Sequence, residues 1–189
     1  MKEIKFTIEG TSPFLMHSDV TANPLHHFSK ELKKHNKRNK TDEDYLNISK
    51  VEFEASCYYR TGWYIPGQNI ESMLLASAKH FKLGTTIKQA LLITDDAEFN
   101  FPDSDLTPMI LFEKKQYVDQ RTVKVGTQKI IRTRPLFNTW KVTFSCLLDE
   151  YKLNQEELIR IVENAGSYVG LGDYRPRFGR FELIKNNQA

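Results

Sequence analysis

The sequence predicts an α+β domain, an antiparallel sheet with helices on one face, in the split βαβ or ferredoxin-like order. Three observations point there. Stretches of period-two hydrophobicity alternate with stretches of helical period along the chain. The clearest elements run strand, helix, strand, strand, helix, strand. The helix after Tyr64-Ile-Pro-Gly67 and the helix after Leu153 follow recognisable turn or capping signals. With 189 residues, 40% hydrophobic and 27% charged, the chain is long enough to bury one self-sufficient core over residues 1–189.

Residues 2–9 alternate, with Ile4, Phe6 and Ile8 opposed to Lys5 and Thr7, and predict the first strand. Gly10, Ser12 and Pro13 end it, and Phe14-Leu15-Met16 is a short apolar continuation. An insertion over about 20–62 follows. From Val20 to Lys40 periodicity disappears, and Lys30–Lys40 carries six positive charges against one negative, the pattern of a mobile loop or frayed helix end. Thr41 can cap a new helix with Asp42, Glu43 and Asp44 in its first turn. Tyr64-Ile-Pro-Gly67 is a turn signal, and Ile70, Met73, Leu74, Ala78 and Phe81 predict a helix over about 68–82. Residues 85–118 give only short apolar runs between Asp-rich turns.

Residues 122–134 and 139–147 predict a hairpin joined by Arg134-Pro-Leu-Phe-Asn138, with Trp140, Val142, Phe144 and Cys146 on one face. Asn154 and Glu157 form a capping box opening a helix over about 154–168, whose stripe is Leu158, Ile161, Val162, Ala165 and Val169. A glycine-punctuated loop, 170–179, precedes a last strand over about 180–185. One face of the sheet is left for a ligand.

Composition narrows the function classes. The formal net charge is +3, which makes charge placement more informative than its total. The alternating N-terminus is not a signal peptide, and no run approaches the roughly 18 apolar residues of a membrane helix. Cys57 and Cys146, without C-x-x-C spacing, read as reduced core residues of a cytosolic protein, so a cytoplasmic location without a membrane partner is expected. No P-loop, G-x-S-x-G or dinucleotide fingerprint is present. No catalytic residue, metal or cofactor is therefore assigned.

Three basic constellations are candidates for polyanion binding. Gly170, Gly172 and Gly179 permit positive φ and close backbone approach, while Arg175, Arg177 and Arg180 bring three guanidinium forks to the same loop. The plainer reading is a helix cap and turn, with these arginines paired to Asp173 and Glu182. Arg121, Lys124, Lys129, Arg132 and Arg134 fall within fourteen residues, with Asp119 the only acid nearby; they mark a basic hairpin or a solvated face. Lys33, Lys34, Lys37, Arg38 and Lys40 would add salt-sensitive affinity, or simply keep a loop in water. Tyr58, Tyr59, Trp63, Tyr64 and Tyr174 are candidate stacking platforms. An alternative chemistry rests on His17, Asp19, His26 and His27, residue types able to ligate a divalent metal for phosphodiester hydrolysis.

Three segments together resemble the RAMP superfamily, which includes the guide-RNA backbone subunits of CRISPR effector complexes. They are the first strand running into Gly10-Thr-Ser-Pro-Phe-Leu-Met-His17, the helix start Tyr64-Ile-Pro-Gly-Gln-Asn-Ile70, and the loop 170–179 in the position of the family's G-loop. Gln68 and Asn69 replace the serines of the family's helix start. The chain is also similar to a group of tailed-phage proteins sharing Phe14-Leu-Met-His17, the Ile65-Pro66 helix start and Gly170-Leu-Gly-Asp-Tyr-Arg-Pro176. The resemblance implies a phage or prophage protein that binds the backbone of single-stranded RNA or DNA without sequence readout, with a basic hairpin acting as a thumb. Such proteins assemble side by side along a strand, so a homo-oligomer is an expected partner. A metal-dependent nuclease and a module that binds a host protein complex are the alternatives.

Overall fold

The computed structural model describes residues 1–184, the side chain of Val125 excepted; the end of the expected last strand, residue 185, lies outside the described residues. The chain is α+β, with antiparallel strands in two sheets and six α-helices among the described residues. In chain order the elements begin with β1 (Lys2–Gly10), β2 (Phe14–Leu15), α1 (His27–His35), α2 (Asp42–Ser56), β3 (Tyr64–Ile65), α3 (Gly67–His80) and α4 (Gly84–Ala90). They continue with β4 (Leu91–Ile93), β5 (Ala97–Asn100), α5 (Pro108–Glu113), β6 (Val118–Val125), β7 (Gln128–Phe137), β8 (Lys141–Leu148), α6 (Gln155–Asn164) and β9 (Phe181–Ile184).

These elements gather into two compact units, where the sequence reading treated 1–189 as one. The first unit comprises Met1–Phe14, Arg60–Ser104 and Phe137–Ala189. It holds a six-stranded sheet in the order β3-β5-β8-β1-β9, with β4 also pairing β8 beyond the end of β5. Every pairing is antiparallel, and the register places Ile4 opposite Cys146, Phe6 opposite Phe144 and Ile8 opposite Val142. Residues directly opposite share a face. One face therefore collects the buried Ile4, Phe6, Ile8, Val142, Phe144, Cys146, Leu148, Ile93, Ala97, Phe99 and Phe181. The helices α3 and α6 supply the facing layer, α3 through Ile70, Met73, Leu74 and Ala78, α6 through Leu158, Ile161 and Val162. The buried Ser77 hydroxyl ties the two helices, 2.7 Å from the Ile161 carbonyl and 2.9 Å from Asn164 Oδ1. At one end an aromatic cluster fills the core. Phe14 lies 5.1 Å from Phe99 and 5.2 Å from Trp140, ring centre to ring centre, and Phe137 lies 4.6 Å from Phe101. Trp63 joins it edge-on to Phe101 and Phe137. Removing one such ring costs about 3–5 kcal/mol.

The second unit comprises Leu15–Tyr59 and Asp105–Leu136. Its sheet has the order β2-β7-β6, and α1, α2 and α5 accompany it. The cap expected at Thr41 is present and forms a full capping box, the Thr41 hydroxyl accepting from Asp44 N–H and the Asp44 carboxylate accepting from Thr41 N–H. The box expected at Asn154 and Glu157 is present in the first unit.

Two expectations are corrected. The hairpin is not 122–134 with 139–147: β6 folds back on β7, from Val118 opposite Pro135 to Val125 opposite Gln128, while β8 pairs with β1. Its tight turn is Gly126-Thr127, with glycine at φ +60° as a type II′ turn requires, and the Pro135 read as turn lies inside β7 with its carbonyl accepting from Met16 N–H at 3.0 Å. The strand expected from 122–134 is supplied to the large sheet by β4 and β5, out of the unreadable 85–118. The second correction concerns Val20–Lys40, which is not without order. A 3-10 turn at Val20–Ala22 leads into α1, whose first turn is capped by the His26 ring accepting from Phe28 N–H at 3.4 Å. The hydroxyl of the buried Ser29, 2.7 Å from the Asn23 carbonyl, holds the helix start down. The like charges are offset locally, Lys34 by Glu31 at 2.6 Å and Lys37 by Asp44 at 3.0 Å.

Candidate functional site

The hairpin register decides what its basic residues can do. Arg121 faces Arg132, and Asp119 faces Arg134, on one side of β6–β7; Lys124 faces Lys129 on the other. The five cations therefore do not share a face. On the first side both arginines flanking the centre are engaged: Arg121 Nε donates to Asp119 Oδ2 at 2.6 Å, and Arg132 Nη1 donates to Glu52 Oε1 at 2.5 Å. The other oxygen of Glu52 accepts from Thr133 N–H at 3.0 Å, so this buried carboxylate of α2 pins β7. Arg134 is itself buried, 4% exposed. Lys124 and Lys129 remain exposed at the tip, with no ion pair among the described residues. Of the lysine-rich segment in the same unit, Lys33 lies on α1 with Lys34, Arg38 is exposed, and Lys40 stands 5.9 Å from the Tyr45 ring centre.

Asp44 sits at the foot of that segment. Its carboxylate accepts from Thr41 N–H at 3.1 Å and pairs with Lys37, and the Thr41 amide first, then Lys37, hold it well below the usual carboxylate range. Glu31 is lowered chiefly by its bond to Lys34. The lysine segment is thus held to the protein by its own acids.

The metal alternative does not assemble. His17 Nδ1 is 3.4 Å from Ser56 Oγ, the Asp19 carbonyl closes a 3-10 turn, and His26 caps α1 with its ring 4.4 Å from that of His27. Among the described residues no group of three or more His, Cys, Asp or Glu is placed to hold a metal ion. Both cysteines are free. Burial pushes both thiols up, Cys146 to about 12, which leaves them poor nucleophiles at neutral pH.

The open face of the large sheet, available for a ligand on the sequence reading, carries Glu3, Lys5, Glu9, Glu98, Lys141 and Glu182 by register. Carboxylates outnumber ammonium groups there, and Lys141 is already paired with Glu9 at 3.2 Å. That face repels a polyanion.

The loop after α6 is different. A five-residue π-helical turn, Ala165–Val169, ends at Gly170, whose N–H donates to the Ala165 carbonyl at 2.8 Å with φ +77°. The chain returns at Gly179, φ +73°, where Leu171 N–H donates to the Gly179 carbonyl and Gly179 N–H to the Pro13 carbonyl, both at 2.8 Å. A Cβ on Gly179 would stand 1.7 Å from the Leu171 carbonyl oxygen. The close approach these two glycines allow is thus to this chain's own backbone. Gly172, φ +84°, lines a cleft. The arginines have a different arrangement. Arg175, Arg177 and Arg180 are exposed and form no ion pair among the described residues, neither with Asp173 nor with Glu182; Arg180 Nε donates to the Pro176 carbonyl at 2.9 Å.

Of the five aromatic candidates, Trp63 is core, Tyr58 donates its hydroxyl to the His17 carbonyl at 2.9 Å, and Tyr64 lies under the Arg60 guanidinium at 4.4 Å. Tyr59 is half-buried, and Tyr174 is 50% exposed at φ +61°, a conformation that costs a non-glycine residue roughly 1–2 kcal/mol. Tyr168, 66% exposed, was missed. α-Helical spacing puts it seven residues beyond Ile161, on the buried stripe; the π turn rotates it out.

No family model matches the chain, and no curated protein matches it. Among the described residues no helix is long and apolar enough to cross a membrane.

Proposed function

We propose that this chain is a RAMP-like nucleic-acid-binding protein that grips the backbone of single-stranded RNA or DNA through the loop 170–179, without reading sequence. The frame of the first unit supports a ferredoxin-like assignment: β9-β1-β8 with β4 and β5 beyond, α3 and α6 as the crossovers, is the order that a split βαβ unit produces. The observation that carries the functional reading is the set of exposed, carboxylate-free guanidiniums at Arg175, Arg177 and Arg180. Three charged forks with no internal acid are matched by phosphate oxygens, which each fork can take bidentately. Phosphate contacts fix register without specifying bases. In the second unit, taken by itself, Lys124 and Lys129 oppose each other at the exposed end of the hairpin, where like charges weaken the pairing.

The test is anisotropy of a labelled single-stranded 12-mer between 50 and 300 mM salt. Three phosphate contacts at about 0.7 each give a slope of roughly −2 in log K against log salt. Arg177→Ala is expected to lower that slope by about 0.7. Absence of binding at 50 mM, or affinity indifferent to both salt and Arg177→Ala, would overturn the proposal.

A further inference from the structure

The cleft bounded by the end of α3, the π turn and the loop after it has a volume of about 570 Å³ and lies wholly within the first unit. His80 stands on one wall, Tyr168 on another, and Gly172, Tyr174, Arg175 and Pro176 on the third. Both tyrosines present their rings to solvent, Tyr168 66% and Tyr174 50% exposed. Tyr174 has a left-handed backbone, its amide donates to Asp173 Oδ1 at 2.8 Å, and its ring lies 5.7 Å from that of Phe178. Beside them Arg175 is exposed without an acid partner among the described residues. A flat ring platform next to an unneutralised guanidinium matches a nucleotide, an aromatic base joined to a phosphate. The cleft is shallow and open to solvent, and stacking on its exposed rings requires a base face freed from its neighbours in a strand.

We infer that this cleft is a base-stacking subsite, taking one unpaired nucleobase of the bound strand against Tyr174 and Tyr168 while Arg175 holds the adjoining phosphate. The inference rests on the backbone-binding reading and deepens it: the loop arginines follow the strand, and the cleft adds one base-dependent, sequence-tolerant contact. Because every base offers a π-face, the subsite distinguishes a base from no base rather than one base from another.

A labelled oligothymidylate 12-mer and an abasic 12-mer of the same backbone separate the two ideas. With the intact chain, the thymidylate strand is expected to bind roughly tenfold tighter than the abasic one, the usual magnitude for one stacked base. Tyr174→Asn, which tolerates the left-handed backbone, is expected to reduce that ratio to about threefold or less. Tyr168→Leu provides a second variant at an exposed position and is expected to act in the same direction. Equal binding of both strands, or an unchanged ratio in both tyrosine variants, overturns the subsite. If Arg177→Ala still weakens both strands in that case, the backbone grip survives. If neither strand binds the intact chain, both ideas fall. Saturation by thymidine monophosphate at the oligomer's own concentration would overturn the strand-bound base in favour of a free nucleotide.

Discussion

Replacing Glu52 by alanine removes the carboxylate that joins α2 to β7. Two contacts are lost, Arg132 Nη1 at 2.5 Å and Thr133 N–H at 3.0 Å, and they are not equal. The Arg132 side chain is 39% exposed, so water takes over much of its partner's role, and the pair contributes no more than about 1 kcal/mol. Thr133 is 1% exposed, and its amide, left without the carboxylate, bears the full cost of an unmet buried donor, about 1–3 kcal/mol. The sum is about 1–4 kcal/mol. For a chain of this length that corresponds to a fall of about 2–16 °C in the midpoint of the transition that reports the second unit. Glu52→Gln keeps an acceptor for the Thr133 amide and loses only the charge, so its fall is expected to be less than half as large. Thermal melting by circular dichroism gives the midpoints, and amide exchange at Thr133 reports the bond itself. A Glu52→Ala protein that melts within about 1 °C of the parent, with Thr133 exchange unchanged, would refute the assignment of Glu52 as the anchor of β7.

Gly179→Ala is expected to destabilise the first unit by more than about 3 kcal/mol in urea unfolding, because the new Cβ meets the Leu171 carbonyl oxygen at a φ of +73°; a midpoint shift of under 1 kcal/mol would show that the loop can open at no cost. Acid acts on the second unit through Asp44. Its folded pKa lies well below the unfolded value of 3.8, so its contribution is fully present above that value, begins to decline as pH falls below it, and is gone only below the folded pKa. Urea midpoints measured from pH 6 to pH 3 are expected to fall further for the parent than for Asp44→Asn, and parallel curves would remove Asp44 from the account.

Helix starts were the most legible part of the fold, because a cap is local: Thr41 with Asp44, and Asn154 with Glu157, need only three intervening bonds to be recognised. The strand β1 was legible because its solvent face is polar, which leaves a clean alternation. β4 and β5 were not, since three- and four-residue strands are too short to establish a period, and Leu92 breaks the apolar pattern by facing outward. The hairpin was misplaced by weighting Pro135 and Asn138 over the tighter Gly126 turn. Arginine pairing was illegible for a different reason: Glu52 lies eighty residues before Arg132, and no spacing rule links them. The exposure of Tyr168 depends on a π turn that α-helical periodicity cannot represent.

The loop 170–179 attracted attention first through its glycines, yet the structure divides its residues by what each one satisfies. Gly170 and Gly179 are accounted for by the chain's own carbonyls at Ala165, Pro13, Phe178 and Leu171, and a protein without any ligand would need them just as much. The same test applied to the hairpin removes Arg121 and Arg132, whose acids are internal. Applied to the loop arginines it leaves a remainder: Arg175 and Arg177 stabilise nothing that the described residues contain, and three adjacent like charges on a ten-residue turn raise its free energy. Tyr174 adds backbone strain and an exposed ring at the same place. Arginines that carry charge without an acid partner among the described residues support a ligand more strongly than a glycine pattern does. That remainder, rather than the likeness of the loop, is what supports the proposed strand contact at residues 174–180.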